Sequence, residues 1–282
     1  MSVNTIAGIL PDFWLDAGTI TGVEAGNPLV EWQDKSGNGG VALPVGKLLN
    51  FCHRGADYAP YHGVFPNHPP TYQGPSHELD GKPYVAFDSA RQQTMKLAVR
   101  DLGLDANVRG FTFITVARFH PSPDASYLFI THDRTNSTRF SVIVDAGGRA
   151  RVTIRPNSRY PSQLFRARAD RGIPLDRWVL LSVVVDYRQD TFGVGMYLNS
   201  EIIGAYRPDD NPASRPEESG TSRDLSTFIV IGSTGENNHL SCDIAELICF
   251  REDIDFGAPN NLQLVESELG AKYEIGATPE QC

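Results

Sequence analysis

"FTFITVARF", residues 111–119, decides the fold class. Aromatic and β-branched side chains crowd a run too short for a buried helix, and such side chains pack well on a pleated surface, so the stretch reads as a buried strand. Working outward, the same chemistry recurs in "YVAFD" (84–88), "SYLFITH" (126–132), "RFSVIVD" (139–145) and "RARVTI" (149–154). It continues through "WVLLSVVVDY" (178–187), "TFGVGMYLN" (191–199), "FIVIG" (228–232) and "CDIAELICF" (242–250). Gly147-Gly148 and the polar "DYRQDTF" (186–192) supply turns between neighbouring runs. No helical pattern interrupts the series, so the strands have no crossover helices to make them parallel. The expected class is all-β, an antiparallel two-sheet jelly-roll sandwich.

Only the end departs from this rhythm. In "APNNLQLVESELGAKYEI" (258–275), Leu262, Val265, Leu269 and Tyr273 recur at intervals of three and four, which predicts a short amphipathic C-terminal helix capped by Asn260 or Asn261. Residues 43–83 carry seven prolines among polar and aromatic residues and read as a long loop excursion, as does the polar, Pro-rich stretch 207–224. With no internal repeat and no clean linker, residues 1–282 are expected to form a single domain.

The formal net charge of −9 argues against nucleic acid as a general partner, because neutralising phosphates needs a cationic surface. No run of 18 apolar residues occurs, so no membrane insertion is expected; the N-terminus also lacks the basic and apolar regions of a signal peptide. Cys52, Cys242, Cys249 and Cys282 are scattered and read as reduced thiols. Cys242 and Cys249 are an odd number of residues apart and would face opposite sides of a regular strand.

"WQDKSGNGG" (32–40) suggests a phosphate- or cation-binding loop. The nearest Gly-Lys, Gly46-Lys47, is followed by Leu48 and has Val41 where a P-loop needs its first glycine. Counted from Asp34, an EF-hand pattern is met at Ser36, Asn38 and Gly39, but Val45 stands where the bidentate Glu belongs. The favoured reading is an Asx-type turn with Gly37 and Gly39 at positive φ and Trp32 packed inward, with a calcium-stiffened loop as the alternative. No metal site is expected at His53, His62, His68 and His77, whose spacings match no compact ligand pattern.

The sharpest local anomaly is basic. Arg149, Arg151, Arg155, Arg159, Arg166, Arg168 and Arg171 crowd one region of an acidic chain, with Tyr160 among them. Arg149 and Arg151 share a strand face, as do Arg166 and Arg168, and guanidinium forks suit carboxylate, sulfate or phosphate. Tyr61 and Tyr72, in the Pro-rich excursion, could stack on sugar rings or equally pack the loop against its own sandwich, the slightly favoured reading. The candidate ligand-binding set is therefore Arg151, Arg155, Arg159, Tyr160, Arg166, Arg168, Tyr61 and Tyr72.

The order of phrases "FWLDAGTI", "VEWQDKSGNGGVA", "LDGKPYVAFD", "FTFITVARF", "DRWVLLSVVVDY", "GMYLNSEIIGAY", "FIVIGS", "CDIAELICF" and "VESELGAKYEI" resembles a concanavalin A-like lectin/glucanase domain of the laminin-G-like type, over roughly residues 10–275. The resemblance implies two antiparallel sheets packed face to face, with glycans or proteins held on the concave sheet or by rim loops. It also spans hydrolases and lyases, so the site must be argued from residues. Hydrolases of this fold carry a phrase like Glu-x-Asp-x-x-Glu, which is absent. The nearest pair, Asp243 and Glu246, has an odd separation that would place the two carboxylates on opposite faces of a regular strand. The Gln-x-His and Tyr-x-Lys-x-Gly phrases of jelly-roll lyases are absent too, and no enzyme is expected. Glu246, set among Ile244, Leu247, Ile248 and Phe250, reads as a buried carboxylate satisfied by backbone N–H groups or an Arg.

The expected function is a non-catalytic lectin-like adhesion module, extracellular or on a virion surface, whose partner is a glycan or other anionic surface ligand. The alternatives are a structural subunit of a larger assembly, such as a phage decoration or fibre protein, and a polysaccharide-active hydrolase.

Overall fold

The computed structural model describes residues 4–44, 68–98, 110–132, 138–154, 165–186, 193–206, 228–232, 239–251 and 260–275. Within them the chain forms two eight-stranded antiparallel sheets and one helix. The first sheet runs β14 (Glu201–Tyr206), β13 (Gly193–Leu198), β12 (Trp178–Asp186), β7 (Gly110–Phe119), β16 (Cys242–Phe250), β5 (Lys82–Phe87) and β4 (Thr71–Ser76), with β1 (Phe13–Asp16) also paired to β16. The second runs β11 (Phe165–Arg168), β10 (Ala150–Ile154), β9 (Thr138–Val144), β8 (Ser126–His132), β15 (Phe228–Ile231), β6 (Met95–Ala98), β3 (Val41–Pro44) and β2 (Trp32–Gln33). The all-β sandwich read from the strand rhythm is the observed architecture.

Alternating residues of each strand face the opposite sheet. Phe111 and Phe113 of β7 meet Phe129 of β8 and Phe140 of β9, with ring centroids 4.7 Å apart for Phe113–Phe129 and 4.9 Å for Phe111–Phe140. Trp32, Phe13 and Leu15 extend the same core and are fully buried.

The other face of the first sheet is apolar as well. Ile114, Val116, Leu180, Ile248 and Phe250 pack against Leu262, Val265, Leu269 and Tyr273 of α1 (Asn261–Tyr273). This second layer explains why β12 and β16 are rich in apolar residues on both faces and buried along almost their whole length although they are antiparallel: both of their faces are covered. The helix stands where its periodicity placed it. Asn260 occupies the N-cap position in a left-handed conformation, but its side chain makes no capping bond, which corrects the capping expectation.

Three further expectations are corrected. The excursion 43–83 ends early, because residues 71–76 form β4 despite Gly74 and Pro75. β4 is the edge strand and its register shifts between Gln73 and Ser76, so Pro75 withholds no ladder bond. Second, β16 carries a bulge between Ile244 and Glu246. The extra residue reverses the parity of everything after it, so Asp243 and Glu246, paired with Arg118 and Val116, face the same side. Third, the same bulge puts Cys242 and Cys249 both on the inner face. They remain free thiols because their partners Phe119 and Phe113 are six positions apart, about 20 Å along the strand.

Candidate functional site

The basic region lies on the outward face of the second sheet. β10 and β11 pair with Arg151 directly opposite Arg168 and Thr153 opposite Arg166. Inward alternation of Ala150, Val152, Ile154 and Ala167 fixes the arginines outward. Arg166 and Arg168 are exposed and Arg151 is half-buried. Asp145 is the local counter-charge: its Oδ2 accepts from Arg168 Nη2 at 2.8 Å, and its Oδ1 accepts from the backbone N–H groups of Gly147 and Arg149. Desolvation raises the Asp145 pKa, but those bonds outweigh it and hold the carboxyl below its ordinary value. Arg151 Nε is buried and has no hydrogen-bond partner among the described residues.

The row containing Arg168 and Arg151 continues across the sheet through Ile143 to half-buried Tyr127. Tyr127 was not legible as a site residue, since only the strand order brings it into line. At the sheet's edge, β11 abuts β14. Asp170 N–H donates to the Ile203 carbonyl at 2.7 Å, and a Cβ on Gly204 would meet the Arg168 carbonyl at 2.9 Å. Arg171 is turned away, bridged to Glu201.

Of the expected site residues, the structure therefore brings together Arg151, Arg166 and Arg168. Arg155, Arg159, Tyr160 and Tyr61 lie outside the described residues. Tyr72 belongs to β4, at the far edge of the other sheet, where it packs against the core and its backbone bonds Gly26 and Asn27. It is not part of the Arg face, because β4 and β11 end opposite sides of the sandwich.

The "WQDKSGNGG" turn is held from within. Asp34 Oδ1 accepts from Trp14 N–H at 2.8 Å and Ser36 N–H at 2.9 Å, and its Oδ2 accepts from the Ser36 hydroxyl at 2.6 Å. Asn38 directs its amide nitrogen to the Asp12 carbonyl, and Gly37 and Gly39 take φ of 95° and 78°. Both Asp34 oxygens thus face hydrogen-bond donors, which is chemistry for an Asx turn and not for a cation. Among the described residues no cluster of three His, Cys, Asp or Glu could hold a metal; His68 and His77 are separately exposed, and His53 and His62 lie outside the described residues. We expect the melting temperature to be the same in calcium and in a chelator, and Asp34→Ala to cost about 1–3 kcal/mol in either. A calcium-dependent rise that Asp34→Ala abolishes would overturn this.

Two charge clusters on the outer face of the first sheet escaped the sequence reading. Next to α1, Glu246 accepts from the Trp14 indole and, at 3.0 Å, from Lys272 Nζ, while Asp16 accepts from Lys272 and Lys35 at 2.9 Å each. Glu246 is satisfied by an indole and an ammonium, and not by the backbone or an Arg as expected. Burial, then the neighbouring Asp16, push its pKa up. Desolvation also disfavours the Asp16 anion, but Lys272 and Lys35 outweigh it and lower its pKa.

Toward the other end of the face, Asp243 Oδ2 accepts from Arg118 Nη2 at 2.7 Å and lies 3.0 Å from His120 Nε2, while His120 Nδ1 lies 2.8 Å from Asp176. Arg118 also bridges to Glu78 and rests over Trp178 and Tyr84. The Asp243 bond, partly offset by desolvation, raises the His120 pKa. A raised folded-state value means the imidazolium stabilises the fold fully below about pH 6.5, and this is lost as pH rises through the folded value. Urea titrations from pH 5.5 to 8.5 should show a decline of under about 1 kcal/mol that His120→Gln flattens.

No family model and no curated protein matches the chain. Solved structures do. The receptor-binding domain of botulinum neurotoxin mosaic serotype C/D superposes with a TM-score of 0.56 and 9% identity, over 93% of this chain and 51% of that one. The binding domain of botulinum neurotoxin DC in complex with rat synaptotagmin II gives 0.54 and 10%, over 95% and 52%. The same domain in complex with SialylT gives 0.54 and 11%, over 94% and 52%. The chain spans about half the length of these structures. At such identities the likeness is one of fold.

Proposed function

We propose that the chain is a non-catalytic, concanavalin A-like binding module of the laminin-G-like type, whose β10–β11 face holds an anionic surface glycan or an acidic partner protein. The observation that carries this is the cross-strand pair Arg151–Arg168 on an outward face. Like charges directly opposite destabilise a sheet unless an anion lies between them, and Asp145 supplies one carboxylate to one of the two. The complexes of the similar toxin domains with synaptotagmin II and with SialylT support a protein or glycan ligand for a sandwich of this kind. An extracellular or virion-surface setting suits such a module.

The absence of catalysis is proposed on chemical grounds. The bulge places Asp243 and Glu246 on one face, so strand parity is no argument against a carboxylate pair. Their engagement is: Asp243 is held by Arg118 and His120, and Glu246 by Lys272 and the Trp14 indole. A paired carboxylate is poorly placed to exchange a proton with substrate.

A glycan array at two salt concentrations, with size-exclusion chromatography and light scattering, tests the proposal. A monomer with saturable glycan binding weakened in Arg151→Gln supports it. A defined oligomer that binds no glycan would favour a subunit of a larger assembly, and reducing sugar released from a polysaccharide panel would favour a hydrolase.

A further inference from the structure

The geometry of the Arg face narrows its ligand, and this inference rests on the binding reading above. Ala169 N–H donates to the Ala150 carbonyl at 2.8 Å, which makes Ala150 and Ala169 the hydrogen-bonded pair. Arg151 and Arg168 then form the next, non-hydrogen-bonded pair, in which Cα atoms approach to about 4.5 Å and side chains are closest. Arg166 follows two residues along β11 on the same face, about 6.5–7 Å away.

Backbone register thus fixes where three arginine side chains leave the sheet, at two separate points along the strand direction. Asp145 takes one Nη of Arg168 on its Oδ2, and its Oδ1 is used by the turn. Each guanidinium presents five donors, so most of the donor capacity of the three is uncommitted within Asp145's reach. A single carboxylate is satisfied by one fork; it cannot answer a second cationic point nearly 7 Å further on. Thr153 opposite Arg166 adds a hydroxyl that can bond a sugar hydroxyl.

We propose that this face binds a linear glycan carrying anionic groups on successive residues, a sulfated or uronic-acid polysaccharide, and discriminates against glycans with one terminal acid. The net charge of −9 disfavours any polyanion held by long-range attraction alone, nucleic acid included, so the ligand must be held by short-range forks at the arginines.

Fluorescent heparin octasaccharide, oligogalacturonate of similar length, sialyllactose, a neutral dextran fragment and a single-stranded DNA 12-mer serve as probes on the full chain. Either or both polyanionic glycans should bind, with a log–log salt slope of about −2 to −3, and sialyllactose should bind at least about tenfold more weakly. Arg151→Gln with Arg168→Gln should weaken polyanion binding at least about tenfold, and Arg166→Gln should reduce the slope by about one. Arg91→Gln, an exposed arginine elsewhere, should change nothing. The double variant should melt no lower than the parent, since a like-charge pair is removed.

Sialyllactose binding as tightly as the octasaccharide, in an Arg151-dependent way, would overturn the repeated-anion proposal while leaving the glycan-binding reading intact. Absence of binding to any glycan overturns the polyanionic-glycan proposal and leaves only an acidic protein partner for the face. DNA binding as tight as the octasaccharide, or polyanion binding unaffected by the double variant, refutes the proposal directly.

Discussion

Lys272→Ala should destabilise the fold by about 3 kcal/mol, read as a fall in the urea midpoint without a change in slope. The ammonium of Lys272 is the shared counter-charge of Asp16 and Glu246, which are 5% and 0% exposed, while Lys272 itself is 29% exposed. Deleting it leaves two carboxylates in a poorly solvated layer between sheet and helix, with Lys35 able to reach only Asp16. The value sits at the low end of the range for a broken buried pair because Lys272 keeps some contact with water. Glu246→Gln should cost less, about 1 kcal/mol, since an amide oxygen still accepts from the Trp14 indole and the charge that burial penalises is gone. The double variant Glu246→Gln/Lys272→Ala should be more stable than the sum of the single effects. Equal and additive losses would show that the network is not coupled.

The network also fixes a sign with pH. Desolvation opposes the Lys272 charge, but Glu246 and Asp16 raise its pKa, so its stabilisation is present below about pH 10.4 and lost above it. The lowered Asp16 value gives stability that is present above about pH 3.9 and lost as pH falls below that. Glu246 works in the opposite direction, because its raised value makes the folded state take up a proton first. The cost of Lys272→Ala should therefore be greatest between about pH 4 and pH 10 and shrink outside that window, where one side of the network has lost its charge.

Phe129→Ala should cost about 3–5 kcal/mol. Its ring, from the second sheet, contacts Phe113 and Phe111 of the first and Phe140 beside it, so truncation opens a cavity at the centre of the sandwich, where neighbouring β-strands cannot collapse inward. Against a typical total of about 5–15 kcal/mol, this leaves a marginal fold. Phe129→Leu should recover more than half of the loss, and a loss below about 1 kcal/mol would mean that the core is not packed as described.

The features legible from sequence are those with a local cause. Strand chemistry around residues 111–119, the three-and-four spacing from Leu262 to Tyr273, and the Asx and glycine chemistry of residues 34–39 each act within a few positions of the residue concerned. The buried Glu246 was visible as a charge inside an apolar run. A matching signal for its partner was present: Lys272 lies three residues after Leu269 and next to Tyr273, on the apolar stripe of the helix. Reading the two anomalies together would have suggested the pair.

The sequence by itself determined the class of fold, the helix and the clustering of arginines, because these follow from side-chain type and periodicity along one strand. Only the tertiary structure decided which faces those residues occupy. The bulge at Ala245 has no signature in residue type, yet it reverses the facing of Glu246 and Cys249. The opposition of Arg151 to Arg168 depends on register between two strands, and the separation of Tyr72 from them depends on strand order across two sheets. Both are set by how distant segments bury their apolar faces against one another, a condition that no single stretch of the chain contains.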